Sequence, residues 1–236
     1  KGGLEIMQIV GLQKTTLVDY PGVVACTLFT PGCNFRCPYC HNPELINPTH
    51  AFQIIPEGEF LQWLSGRKGW LDGVCVTGGE PTLQKDLPEF AKKVKAAGFL
   101  FKLDSNGTNP LMLEQMLDSN LIDFVAMDIK APLADYSKAT RTDVVQANIQ
   151  RSIDLIRTKA PDYEFRTTVG PAWYSKDAAK RIGEWLDGSK AYYLQQYVPG
   201  NTLDPELSQD RFTKEELQEL AGILKPHFGK VEIRGI

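Results

Sequence analysis

The sequence predicts an α/β fold in which parallel strands are joined by helical crossovers, and two observations predict it. Short apolar, β-prone runs alternate with amphipathic segments of helical spacing along nearly all of the 236 residues. That alternation is how parallel strands and right-handed crossovers are written in a sequence. The unusual residues also fall at the C-terminal ends of successive predicted strands, the rim where such folds place their sites. Six strand–helix units are too few for a closed eight-stranded barrel. A partial barrel and a doubly wound open sheet both remain.

Met7–Gly11 and Thr15–Asp19 read as a short hairpin ending at Pro21-Gly22. Residues 23–30 are the first buried strand. Glu57–Ser65 follows Pro56 with Phe60, Leu61 and Leu64 on one helical face. Gly73–Thr77 is the second strand, and a helix near Leu87–Ala97 ends at Gly98, suited to a left-handed cap. Phe99–Asp104 is the third strand, Pro110–Leu117 a helix, and Asp123–Ile129 the fourth strand. Asp143–Thr158 is an amphipathic helix, Tyr163–Val169 the fifth strand and Lys176–Leu186 a helix. Tyr192–Val198 is the sixth strand. Thr213–Leu224 is the last helix, with Lys230–Arg234 as a final strand. Glu44–Pro56 and Ala131–Thr142 are the longest irregular stretches. No linker divides the chain, so residues 1–236 are expected to form one domain. Residues 1–6 precede an initiator-like Met7 and are expected to be an expression remnant.

Charge is nearly balanced, 26 basic against 29 acidic residues, so no basic footprint argues for nucleic acid. Five cysteines, three of them crowded together, do not make a secreted disulfide framework. No apolar run approaches the ~20 residues of a membrane span. A cytoplasmic location is expected.

The crowded cysteines are Cys33, Cys37 and Cys40, spaced C-x3-C-x2-C after the first strand and a Pro31-Gly32 turn. Thiols on so short a loop converge on one object, and four objects compete. Tetrahedral zinc needs a fourth ligand; His41 abuts Cys40, and Cys26 and Cys75 sit in apolar runs. A glutaredoxin-like dithiol at Cys37 and Cys40 leaves Cys33 unused. Cys37 to His41 also spells a haem-attachment pattern, which goes with export. An iron–sulfur cube held by three thiolates keeps one iron open for a further ligand.

The three-cysteine spacing with an aromatic before the last Cys resembles the radical S-adenosylmethionine (radical SAM) enzymes. The longer run Leu17-Val18-Asp19-Tyr20-Pro21-Gly22, then Cys33 through Glu44, resembles the glycyl-radical-enzyme activases. Within them it is most similar to the activating proteins of anaerobic ribonucleoside-triphosphate reductase. The likeness runs from about Gly11 to Arg234. It implies a radical SAM partial (β/α)6 barrel, splayed on one side and preceded by the short hairpin. It also implies a [4Fe–4S] cluster on the three cysteines and bound S-adenosylmethionine. The activity implied is reductive cleavage to a 5′-deoxyadenosyl radical that takes hydrogen from a glycine of the large reductase. A flavodoxin or ferredoxin-type protein would be the electron donor.

The resemblance also assigns roles. Gly78, Gly79 and Glu80, with Pro81, match the motif at the cofactor's amino group, where a Cβ would block its approach. Asp104, Ser105 and Asn106 are placed for ribose hydroxyls. Asp104 with Asp128 resembles a carboxylate pair that holds a monovalent cation in some activases. Lys130 and Arg166 meet the cofactor carboxylate, and Tyr39 lies near the adenine. Tyr197 stands where pyruvate formate-lyase activases have a cofactor-contacting His, and with Gln195 and Gln196 it favours the reductase branch. His41 reads as a structural hydrogen-bonder, Cys26 and Cys75 as ordinary buried thiols, and the four tryptophans as packing residues.

Overall fold

In the computed structural model, which describes residues 7–46 and 52–235, eight strands form one sheet in chain order. They are β1 (Gly11–Thr16), β2 (Ala25–Thr30), β3 (Gly73–Gly78), β4 (Leu100–Ser105), β5 (Phe124–Asp128), β6 (Tyr163–Val169), β7 (Ser189–Gln196) and β8 (Phe228–Arg234). β1 is antiparallel to β2, and every later neighbour is parallel. A strand order without reversal excludes the doubly wound alternative, whose order switches midway. β1 and β8 are not paired with each other, so the sheet stays open.

Seven helices are described: α1 (Glu57–Ser65), α2 (Leu87–Ala96), α3 (Pro110–Asp118), α4 (Tyr136–Thr140), α5 (Gln146–Lys159), α6 (Lys176–Trp185) and α7 (Lys214–Leu224). Their ends follow local chemistry. Asn109 caps α3 at the Met112 N–H with Pro110 in the first turn. Thr213 and Glu216 form a reciprocal capping box on α7. Gly98, at φ +91°, turns the chain out of α2 into β4.

Three expectations need correction. The N-terminal hairpin pairs β1 with β2 around Pro21-Gly22, rather than two strands within residues 7–19, because the apolar partner of β1 is the first buried strand. Ala131–Thr142 contains a 3-10 turn and α4, whose five residues are too few to show a helical period. β8 joins the parallel set, making seven parallel strands rather than six. Residues 1–6 and His50 lie outside the described residues.

Strand alternation gives the sheet two unlike faces. Cys26, Leu28, Val76, Phe101, Leu103, Val125 and Phe165 face the helices and share one apolar core with Phe60, Phe90 and Ile153. The opposite face carries Thr27, Cys75, Lys102, Asp104, Asp128 and Arg166. A small apolar plug of Tyr20, Ala25, Phe124 and Ala126 lies at its N-terminal end. The helix-side core carries the stability that the polar face cannot supply. Phe101 is fully buried and meets Phe90 edge to face at 6.4 Å. Phe101→Ala should therefore cost about 3–5 kcal/mol in urea unfolding. A loss under about 1 kcal/mol would mean the core closes around the cavity.

Candidate active site

The cysteine loop is fixed by backbone on three sides. The Gly32 N–H donates to Leu45 O at 2.6 Å, and the Arg36 N–H to Thr140 O at 2.8 Å. Cys40 O and Pro38 O accept from the Leu203 and Asp204 N–H groups at 3.2 and 3.0 Å. Arg36 Nη1 donates to Cys33 O and Phe35 O, both at 2.8 Å. A loop held in this way presents three free thiols to one cavity of about 360 Å³. Burial pushes the Cys33 thiol up to about 11 and raises Cys37 and Cys40 as well, with Lys130 opposing the rise at each. A cationic partner is what such thiols need in order to ionise.

The Gly78-Gly79-Glu80 turn closes on this loop from β3. The Gly79 N–H donates to Thr30 O at 2.9 Å, and the Glu80 N–H to Gly32 O at 2.7 Å. Gly78 sits at φ +120°. A Cβ on Gly79 would stand 2.0 Å from Gly32 O. Close backbone approach to the residue before Cys33 therefore requires glycine at position 79, and both glycines also line the cavity. Glu80 is also a linker. Its buried carboxylate accepts from Thr82 N and Oγ1, from Ser105 Oγ at 2.9 Å and from the Asn106 N–H at 2.7 Å. Burial raises its pKa against those four donors. Asn106 Nδ2 then donates to Asn34 Oδ1 at 2.8 Å, back in the cysteine loop. Glu80, Ser105 and Asn106 therefore tie three strand ends together while lining the cavity.

Below this rim lies a chain of buried ion pairs. Arg166 donates from Nε to Asp128 Oδ1 at 2.5 Å and from Nη2 to Asp104 Oδ2 at 2.9 Å. Lys130 Nζ is 3.1 Å from Asp128 Oδ2, and Lys102 pairs with Asp104 Oδ1. Glu164 Oε1 lies 3.9 Å from Arg166 Nη1, and its carboxylate is held bidentately by Arg234 at 2.7 and 2.8 Å. Cross-strand register places Asp128 beside Arg166. Burial alone would raise both aspartates, yet the cations win. Arg166 and Lys102 hold Asp104 below its usual value, and Arg166 and Lys130 hold Asp128 well below it. Burial would lower Lys130, and Asp128 outweighs it, keeping Lys130 well above the usual lysine value. Four cations (Lys102, Lys130, Arg166, Arg234) and three carboxylates (Asp104, Asp128, Glu164) are joined in this chain of pairs. A monovalent cation between Asp104 and Asp128 finds all four carboxylate oxygens already taken by ammonium or guanidinium groups.

Tyr39 stacks on Trp173 at 5.0 Å, and Trp173 meets Tyr197 edge-on at 5.1 Å. The Tyr39 hydroxyl is buried without a hydrogen-bond partner, and the residue lines the cavity. Tyr197 does not line it; it is buried between Trp173 and His41, and Gln195 reaches the cavity instead. His41 Nε2 donates to Val198 O at 2.7 Å, the structural role expected of it. Cys26 is buried in the apolar core and pushed up to about 12 by burial. Cys75 is buried too, but on the polar face, 3.7 Å from Asp104 Oδ1. Sequence reasoning missed Lys102, Glu164, Arg234 and Thr168. Charges inside a β-run are its only signal for the first three.

Three thiols opening into one cavity are the donor set that an iron–sulfur cube takes, and among the described residues no three Cys, His, Asp or Glu side chains converge closely enough for a single metal ion.

The two aspartates work only as ions. Their depressed folded-state pKa values contribute stability that is present above the unfolded carboxylate value near 3.9 and lost as pH falls through the folded ones. Arg166→Gln should cost about 3–5 kcal/mol at neutral pH, the penalty for orphaned buried charge. Its deficit should narrow toward about pH 4 as protonation relieves the aspartates. Urea unfolding across pH checks this; a pH-independent deficit would mean that Arg166 matters for packing alone.

Residues 27–178 match the Radical SAM superfamily. A Methanocaldococcus jannaschii protein named as a glycyl-radical enzyme activating enzyme is 32% identical over 236 residues, covering 96% of this chain and 95% of its own length. A pyruvate formate-lyase-activating enzyme of Listeria monocytogenes is 35% identical over 200 residues, 80% of this chain and 68% of that one. Among solved structures, QueE from Escherichia coli has a TM-score of 0.57 at 15% identity, over 98% of this chain and 94% of QueE. Streptococcus suis SuiB has a TM-score of 0.67 at 11% identity, over 87% of this chain and 47% of SuiB, and both likenesses speak to fold alone. With the match spanning the cysteine loop, the Gly78-Gly79-Glu80 turn and Arg166 alike, the chain belongs to the radical SAM superfamily.

Proposed function

We propose that the chain, acting as one domain over residues 1–236, activates a glycyl-radical enzyme. Cys33, Cys37 and Cys40 hold a [4Fe–4S] cluster, and S-adenosylmethionine lies in the adjoining cavity. The observation that carries this is the opening of all three thiols into the same space as Asp104, Asp128, Lys130 and Arg166. When bound, the cluster and S-adenosylmethionine supply one-electron cleavage to a 5′-deoxyadenosyl radical, chemistry that belongs to the cofactors. The chain's residues position and enclose. Lys130 and Arg166 line the cavity beside their aspartate partners, and the N–H donors not spent on those aspartates are the ones offered to a carboxylate. Tyr39, backed by Trp173, walls the cavity on the side of the cysteine loop.

Radical transfer goes to a glycine on a large partner, for which we favour anaerobic ribonucleoside-triphosphate reductase, with a flavodoxin or ferredoxin-type donor. Support comes from the Leu17-Val18-Asp19-Tyr20-Pro21-Gly22 lead and from Gln195-Gln196-Tyr197 in place of a His. The unpaired β1 and β8 edges leave the sheet open beside the cavity. Pyruvate formate-lyase is a second reading, favoured by the Listeria relative and by a Clostridium pasteurianum relative of the same name, 34% identical over 128 residues.

The first test is iron and sulfide after anaerobic reconstitution. Cys33→Ala, Cys37→Ala and Cys40→Ala should each lose the cluster, whereas Cys26→Ala should keep it. Gly79→Val should lose it too, because its side chain meets Gly32. Full iron in Cys37→Ala would end the cluster assignment. The second test incubates reduced enzyme and S-adenosylmethionine with each candidate partner and records electron paramagnetic resonance. A glycyl doublet is expected on the reductase. A doublet on the lyase alone would reassign the partner, and cofactor cleavage without any glycyl radical would remove the activase reading.

A further inference from the structure

Lys102 is a charged group of the polar face that, like Glu164 and Arg234, does not reach the cavity. It is fully buried. Its register neighbour on β3 is Cys75, and it shares a strand face with Asp104 two residues on. Its ammonium is 3.8 Å from Cys75 Sγ and 5.7 Å from the Phe124 ring centre, and it pairs with Asp104 Oδ1. Desolvating an ammonium is expensive, and an apolar residue beside Phe124 would avoid the cost. The one carboxylate paired with this ammonium is Asp104, so any function Lys102 has is exerted through Asp104.

That carboxylate is one of the pair expected from the sequence to bind a monovalent cation. A metal ion needs oxygen lone pairs that face it without an ammonium or guanidinium in the way. Here Lys102 and Arg166 take the two oxygens of Asp104, and Arg166 and Lys130 take those of Asp128. With a cation already facing each of the four oxygens, a metal ion here would meet like charge on every side, and the charge that an ion would bring is already built in.

We propose that Lys102 is the resident cation of this site: with Arg166 it takes the place of a monovalent metal ion and holds Asp104 in position, so cofactor binding needs no added metal. The proposal rests on S-adenosylmethionine occupying the cavity. Lys102 is a positioning residue, acting through Asp104.

The test is calorimetric titration of cluster-loaded protein with S-adenosylmethionine in choline, sodium or potassium chloride at equal ionic strength. Wild-type affinity should agree within about twofold across the three salts, well below the effect of losing one charged hydrogen bond. Lys102→Ala should bind about tenfold or more weakly in choline chloride, the size expected for that loss. Potassium or ammonium chloride should restore it by filling the vacated place, which a merely structural defect would not allow. Lys102→Met, which fills the space without charge, should be weak in every salt. Potassium-dependent affinity in the wild type would overturn the proposal whether or not the variants fold. So would undiminished affinity of Lys102→Ala in choline chloride. Absence of binding by the wild type in every salt would instead remove the cofactor reading beneath it.

Discussion

The Arg166 guanidinium, bridging Asp104 and Asp128, is the interaction on which the rest of the polar face depends. Its three strands, β4, β5 and β6, are neighbours, so one planar fork fixes the relative height of their C-terminal ends. Without it, two carboxylates would face each other in a desolvated space, and one of them would have to protonate. Lys102 from below and Lys130 from above complete the row. Buried pairs of this kind add little net stability compared with apolar packing. They add geometry, and the helix-side core carries the folding energy.

The cysteine loop is governed by a different constraint, close approach of two backbones. Gly79 lets β3 pass against Gly32, and the Glu80 N–H then bonds Gly32 O at 2.7 Å. Glu80 carries the linkage onward to Ser105 and Asn106 at the end of β4. Thiols that share one cluster must hold fixed separations, and a loop of eight residues cannot do so unaided. The turn is therefore part of the cysteine site, and the two motifs cannot be altered independently.

Much of this was legible in the sequence because the helix-side face obeys simple periodicities. Phe60 and Leu64, or Leu217, Leu220 and Leu224, mark helices by spacing, and the strands between them are short apolar runs. The rim was legible because cysteines, paired glycines and lone charges have few other reasons to recur at strand ends. The cavity floor was not. Lys102 and Glu164 lie in apolar strands, and alternation alone cannot say whether the face opposite the helices meets water, lipid or other charges. Nor could spacing separate a residue that lines a cavity from one packed just behind it, which is why Gln195 reaches the cavity while Tyr197 supports it. The contact of Gly79 with Gly32 was not legible, since it depends on the parallel register of Thr30 with Gly78, 48 residues away.

An open sheet must also keep its edges from pairing with the wrong chain. β8 does this with Lys230 and Glu232, paired to each other at 2.9 Å and half exposed. Between and beyond them the chain turns Arg234 back over the Tyr193 ring at 3.6 Å and onto Glu164. β1 presents Gln13, Lys14 and Thr15 to solvent, and its register shifts between Gln13 and Thr16. Both edges are thus blunted by charge or irregularity. Closing the sheet into a full barrel would have removed the edges altogether, but it would also have shut the side of the cavity. A small substrate can enter a barrel from its rim; a loop still attached to a folded partner needs a lateral opening. In the proposed activase role an open sheet with guarded edges would meet that need, while the Arg234–Glu164 pair ties its last strand back to β6.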